Sequence, residues 1–399
     1  MIALKTEKLA VGYGRKKIID CIDFEVGKGQ IVCLLGPNGS GKTTILKTIA
    51  GLLSPVTGSV FIEGRNINIF DKTVFSRKVG VVLTEKIMPG LMTVFDVVSL
   101  GRYPHTGFLG VLKKEDVDAI NEAISLVQAE NIAKRYFHEL SDGERQKTLI
   151  ARALAQEPDI LVLDEPIGHL DVHHRIEVLT ILKKLSKNKH ITIIMSLHEV
   201  DLAIKISDLV VLLNNGKLAA VGSPEDIIDK NTIKSLYGIK HGDYNHTLGS
   251  TEILPHIFMP QIFVLAGSGM GAPIYRMLAK CGFSISTGVL HQNDIDYCIA
   301  DSIGAETICE RPFELIGEEA FLTAKEKMLL SKHIIDSGYP IGRMNRLNGD
   351  LTAEALKLGR SVLSMRSHEE SVKLFGQSTD RIEYFDSVVQ LVSRLNRQI

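Results

Sequence analysis

The sequence predicts an α/β protein built as two domains. Three observations carry this reading. Short apolar, β-rich runs alternate with helical patterns along most of the 399 residues. One run, 31-IVCLL, opens into a glycine-rich loop and then an apolar helix, the strand–loop–helix order of a phosphate-binding sheet protein. A stretch without period, 238–260, separates two series of alternation, and the length exceeds what one core usually serves.

Taken in order, residues 19–26, 30–35, 59–63 and 79–83 read as strands, and 42–50, 114–129 and 143–156 as helices. Strands follow at 160–163 and 191–197. Residues 209–221 carry Asn-Asn-Gly between apolar runs, a hairpin signal. A helix over 224–237 starts from the capping Ser223 with Pro224 in its first position. These elements make a domain of residues 1–240; the Gly-, His-, Asn- and Pro-containing stretch 241–260 reads as a linker. A smaller α/β domain, 261–399, then runs strand 262–266, helix 273–281, strand 284–290, helix 294–302, strand 306–309, helix 318–335, strand 361–365 and helices 367–375 and 386–397.

Composition narrows the function. Lys+Arg 46 against Asp+Glu 47 leaves no whole-chain basic field, so nucleic acid is not expected as a partner. No apolar run nears the roughly 18–20 residues of a membrane helix. The N-terminus alternates like a strand and lacks an apolar signal core, so export is not expected. The five cysteines are scattered and form no C-x-x-C pair, which predicts buried, reduced thiols of a cytoplasmic protein.

The loop is Gly36-Pro37-Asn38-Gly39-Ser40-Gly41-Lys42-Thr43-Thr44, a G-x-x-x-x-G-K-T phosphate loop. Its glycines let backbone N–H groups turn inward around phosphate oxygens, and the helix N-terminus adds positive potential. Lys42 can reach the β- and γ-phosphates, and Thr43 can ligate Mg²⁺. The buried run 160-ILVL precedes Asp164-Glu165-Pro166. Asp164 suits Mg²⁺, and Glu165 suits orienting or deprotonating an attacking water.

Between these motifs stands Leu140-Ser141-Asp142-Gly143-Glu144-Arg145-Gln146, leading into a helix. By this segment, just ahead of 160-ILVLDEP, residues 1 to about 240 resemble the ATP-binding-cassette (ABC) ATPases. The resemblance implies a P-loop NTPase cassette, a mixed-sheet core with a helical signature subdomain, that hydrolyses ATP with Mg²⁺. It implies a head-to-tail homodimer in which Ser141 and Gly143 of one subunit face the γ-phosphate held by the other. Tyr13 falls where the family stacks an aromatic on adenine. Gly168-His169-Leu170-Asp171 resembles the family's D-loop, and His198 its switch histidine. Where the family has an Mg²⁺-linked glutamine, this chain has Glu85, and Asp142 replaces a common signature glycine. The segment 99-SLGRYPHTGFLG is similar to cassettes that drive uptake of iron–siderophore, haem and cobalamin complexes. Such cassettes act at the cytoplasmic face of the membrane on multi-span permease subunits, with a periplasmic or surface solute-binding protein as an indirect partner. Two other readings stay open: a soluble ABC ATPase working on a macromolecular machine, and a regulatory cassette with little turnover.

In the second domain, 262-IFVLA leads into Gly267-Ser268-Gly269-Met270-Gly271-Ala272, which fits G-x-G-x-x-A. No acidic residue ends the following strand, 284-SISTGVL. A tight turn without a ligand is the favoured reading, on a Rossmann-like domain whose role stays open.

Overall fold

The computed structural model describes residues 1–84, 90–106, 110–245, 248–255, 259–376 and 378–397. By contact density the chain divides into two compact units, Met1–Tyr237 and Gly238–Ile399.

The first unit is organised by one sheet. Its strands are β1 (Ile2–Tyr13), β2 (Lys16–Gly27), β3 (Ile31–Leu35), β4 (Thr57–Ile62), β5 (Arg65–Asn66), β6 (Val79–Val82), β7 (Ile160–Leu163), β8 (Thr192–Ser196), β9 (Leu209–Asn214) and β10 (Lys217–Gly222). Their order is β5-β4-β1-β2-β10-β9-β3-β8-β7-β6. β3, β7 and β8 are buried at every residue, as strands covered on both faces must be. They pair in parallel, Leu34 opposite Ser196 and Leu163 opposite Met195. β1, β2 and β4 are antiparallel, so the sheet is mixed.

A helical segment precedes the signature helix Asp142–Leu154. Here Arg102, of the Gly-Arg-Tyr-Pro-His run, is 5% exposed. Its Nε donates to Asp116 Oδ1 at 2.9 Å and its guanidinium to Ala155 O at 2.8 Å and Glu157 Oε2 at 2.7 Å. Arg102 thus clamps the helix Lys114–Leu126 to the end of the signature helix. Breaking one side would leave a buried charge unpaired. The expected helix 224–237 is two pieces, Pro224–Ile227 and Lys230–Tyr237. Ile228 turns extended, and Asp229 Oδ1 accepts the N–H of Thr232 to start the second piece.

The second unit holds a six-stranded parallel sheet of β13 (Met259–Leu265), β14 (Phe283–His291), β15 (Glu306–Glu310), β16 (His333–Asp336), β17 (Val362–Ser364) and β18 (Ile382–Tyr384). The order is β15-β14-β13-β16-β17-β18. The first strand is thus central and strands are added outward in both directions, the doubly wound Rossmann arrangement. Two separate cores lie on the sheet, one with Tyr275, Leu278 and Leu391, the other with Phe263, Met328 and Leu351.

Three expectations are corrected. The helix foreseen over 318–335 ends at Leu330, and His333–Asp336 is strand β16; an apolar Ile-Ile pair continued the helical pattern and hid the break. Residues 241–260 are not a bare linker. They contain the hairpin β11 (Gly242–Asn245) and β12 (Ser250–Ile253), and β13 starts at Met259. Asn245 Nδ2 donates to Cys298 O at 3.0 Å and Ser302 Oγ at 3.1 Å, and Arg276 pairs with Glu252, which anchors the hairpin in the second unit. Of the cysteines only Cys33 is buried; Cys21 is exposed and the others are intermediate. No helix among the described residues is long and apolar enough to cross a membrane.

A fragment of residues 238–399 should therefore unfold at higher urea concentration than one of 261–399, because the hairpin buries Tyr244, Asn245 and Glu252. Losing a buried tyrosine and its neighbours should cost at least about 2–3 kcal/mol. Equal midpoints in urea denaturation would show the hairpin to be an ornament.

Candidate functional site

Parallel pairing dictates where the chemistry collects. β3, β8 and β7 are adjacent and run the same way, so the residues after each emerge at one sheet edge. After β3 comes the loop 36–41, after β7 come Asp164 and Glu165, and after β8 come Leu197 and His198.

The loop needs its glycines. A Cβ on Gly36 would lie 2.3 Å from Leu213 O, and Gly41 enters the helix Lys42–Ile49 with φ 98°, a left-handed value. Lys42 is 6% exposed and its Nζ donates back to Gly36 O at 2.7 Å and Pro37 O at 3.1 Å. Burial pushes its ammonium below the ordinary lysine range, partly offset by the facing carboxylates of Glu165 and Asp164. Ser40 Oγ is buried in this loop without a hydrogen-bond partner. Such a group costs free energy unless an acceptor arrives. A buried cation, an unused hydroxyl and a helix N-terminus together fit a phosphate. Thr43 and Pro37 are half-buried, Thr44 buried, and Asn38 and Gly39 exposed on the loop's crown.

Opposite the loop stands a carboxylate pair. Asp164 is 3% exposed; its Oδ1 accepts from Ser196 Oγ at 2.7 Å and its Oδ2 from Thr84 Oγ1 at 3.3 Å. Ser196 Oγ also accepts the Glu165 N–H at 2.9 Å. Glu165 sits at φ 49°, a strained value for a side-chain-bearing residue. Its Oε1 lies 2.6 Å from His198 Nε2, and both side chains are about one-third exposed. A fixed carboxylate beside an imidazole can accept a proton from a bound water. The hard oxygens of Asp164 and Thr43 suit a divalent cation such as Mg²⁺.

Ser196 and Thr84 escaped the sequence reading. The signal for Ser196 was present: it is a polar residue ending an otherwise apolar, wholly buried strand. Glu85 lies outside the described residues, next to Thr84.

A second cluster gathers the signature and D-loop residues. Ser141 caps the helix Asp142–Leu154, its Oγ accepting from Glu144 N at 3.3 Å while Glu144 Oε2 accepts Ser141 N–H at 2.9 Å. Gly143 is buried beneath His174, and a Cβ there would fall 2.2 Å from His174 Cδ2. His174 in turn is held by Asp171, which accepts its backbone N–H and faces its Nδ1, both at 2.9 Å. The hydrogen bond from the His174 backbone, then its ring, holds the Asp171 carboxyl below the usual range. Ser141 and Asp171 are exposed. Among the described residues, no hydrogen bond or ion pair joins this cluster's Ser141, Gly143 or Asp171 to the phosphate loop. Tyr13 is 56% exposed at the tip of the β1–β2 hairpin, whose Ile19 packs on Gly41.

Residues 19–168 match the family model described as ABC transporter, and residues 285–392 match the model of the MJ0874 family. An uncharacterized ABC transporter ATP-binding protein of Methanocaldococcus jannaschii, MJ0873, is 42% identical over 288 residues, 72% of this chain and 99% of its own. The ferric enterobactin transport ATP-binding protein FepC of Escherichia coli is 33% identical over 237 residues, 59% of this chain and 88% of its own. The cobalamin import ATP-binding protein BtuD of Halobacterium salinarum is 27% identical over 344 residues, 84% of this chain and 85% of its own. With a cassette fold, a phosphate loop and relatives of this likeness, the chain belongs to the ATP-binding proteins of ABC transporters.

Proposed function

We propose that this chain is the ATP-hydrolysing, energy-coupling subunit of an ABC importer. It works at the cytoplasmic face of the membrane on multi-span permease subunits, with iron–siderophore, haem or cobalamin complexes as solutes. A solute-binding protein outside delivers the solute and touches this subunit only through the permease. The observation that carries the reading is the edge cluster of Lys42, Ser40, Asp164, Glu165 and His198. The solute class rests on relatives named for ferric enterobactin transport and cobalamin import, and on the similarity of 99-SLGRYPH to such cassettes.

In this reading the loop 36–44 cradles the phosphates of ATP and Lys42 leaves its own carbonyls for the β/γ oxygens. Thr43 and Asp164 hold Mg²⁺, with Glu85 as a further oxygen donor by its sequence position. The ion would supply neutralising charge at the phosphates. Glu165 takes a proton from the attacking water, and His198 fixes the Glu165 carboxylate and reaches for the γ-phosphate. Tyr13 stacks on the adenine. Ser141, Gly143 and Asp171 stand apart from this cluster and complete the site of a second copy, head to tail. Isolating the chain together with membrane subunits from cells that express its neighbouring genes, and identifying the retained solute, tests the importer reading. A stable complex with a ribosome or other soluble machine, and none with a permease, would overturn it.

Glu165→Gln should leave ATP affinity within about twofold and cut steady-state hydrolysis by at least about 100-fold, the usual worth of a general base. Equilibrium titration and a phosphate-release assay read the two effects; near-normal turnover would move the base elsewhere, with His198 first in line.

Gly143→Ala should push the His174 ring off its seat at a cost of about 1–3 kcal/mol in stability. ATP binding by the single chain should survive, while hydrolysis falls. Unchanged turnover would separate Gly143 from the site.

A further inference from the structure

The second unit carries a crevice that the ATP reaction does not use. β13 and β16 are neighbours, yet the chain leaves them to opposite sides of the sheet. In such a sheet ligands bind beyond the carboxyl ends of the strands at this reversal point. A crevice of about 610 Å³ lies there, within the range of small-molecule sites. Ser268, His291, Asp294, Phe313, Arg343 and Met344 line it, from the loops after β13, β14, β15 and β16.

The glycine-rich loop is closed to a dinucleotide. In such binders its amides and the following helix N-terminus receive the pyrophosphate. Here the chain's own carboxylates hold those donors. Asp294 Oδ2 accepts Ser268 N–H at 2.7 Å; Asp296 accepts Gly271 and Ala272 N–H at 2.9 and 2.8 Å and is wholly buried. A phosphate would have to displace two carboxylates and meet their charge.

The opposite wall is differently made. Arg343 is exposed and, among the described residues, has no ion-pair partner. Its loop is braced: Asn345 Oδ1 accepts Gly342 N–H, Asn345 Nδ2 donates to Pro340 O at 2.9 Å, and Met344 O accepts Ile316 N–H at 3.2 Å. Phe313 is 82% exposed at the rim of the crevice, at φ 64°, a strained backbone for a bulky residue. Asp294 keeps its negative charge with both oxygens bonded to backbone N–H groups, of Ser268 and Asp296, so an anion in the crevice is favoured on the Arg343 side and not at the glycine-rich loop. An unpaired guanidinium on a braced loop beside an aromatic ring and a thioether suits an aromatic anion.

We propose that this crevice binds a small aromatic carboxylate or sulfonate, with Arg343 as its charge partner and Phe313 and Met344 as its apolar face. Both Arg343 and Phe313 are at the surface, so their replacement leaves the cores intact. The intact chain, its nucleotide site saturated with ATP, is titrated with anilinonaphthalene sulfonate, an aromatic anion that fluoresces once removed from water. One saturable site per chain is expected. Arg343→Gln should weaken it about tenfold, the loss of one charge-assisted contact, Arg343→Lys by less, and Phe313→Ala several-fold. Affinity unchanged by both Arg343→Gln and Phe313→Ala would overturn the proposal. So would displacement of the probe by NADH at concentrations near the probe's own, which would make the crevice a dinucleotide site.

Discussion

The parallel pairing of β3, β8 and β7 is the constraint from which the first unit's chemistry follows. Three strands buried on every residue cannot shift register without exposing an apolar face or orphaning ladder hydrogen bonds. Their shared direction sends the phosphate loop, the Asp164–Glu165 pair and His198 to one edge. Ser196 secures the arrangement: one hydroxyl donates to Asp164 and accepts from the Glu165 backbone. Two carboxylates are thereby positioned by a single group at the end of a single strand.

Helix capping performs a second duty in the other cluster. Ser141 and Glu144 satisfy the first turn of the signature helix, and Asp171 does the same for the helix Val172–Lys189. His174 bridges them, packed on Gly143 and bonded to Asp171. Local stability and an exposed, ordered surface are the same fact here. Among the described residues no hydrogen bond or ion pair ties that surface to its own chain's phosphate loop, which is what supports the proposed second copy.

Much of this was legible in the sequence because the decisive elements are local. The phosphate loop, the apolar run before Asp164 and the signature cap each announce themselves within about ten residues. The Rossmann-like unit followed from alternation, and the mixed sheet from the resemblance to the ABC ATPases. What escaped were non-local features. Ser196 matters only because β8 lies beside β7. β16 reads as helix because Ile334 and Ile335 extend an apolar period, and the Ser337-Gly338-Tyr339-Pro340 run after it marks where an element ends but not which kind it is. The hairpin at 242–253 reads as linker because its anchors, Arg276, Cys298 and Ser302, lie far along the chain. The glycine-rich loop of the second unit reads as a turn without a ligand, but what fills its amides is non-local: Asp294 and Asp296 come from the next crossover.

The central claim is that each nucleotide is held by one chain and met by the signature of another. A photoreactive ATP analogue activated at the γ-phosphate tests it. Isotopically heavy chain carrying Lys42→Ala, which lacks a working phosphate loop, is mixed with light chain carrying Glu165→Gln, which binds without turnover. After irradiation the labelled peptides are identified by mass. The account predicts label on the segment 140–146 of the heavy chain. Label confined to the light chain's own loop and strands, with the heavy chain's signature untouched, would contradict it.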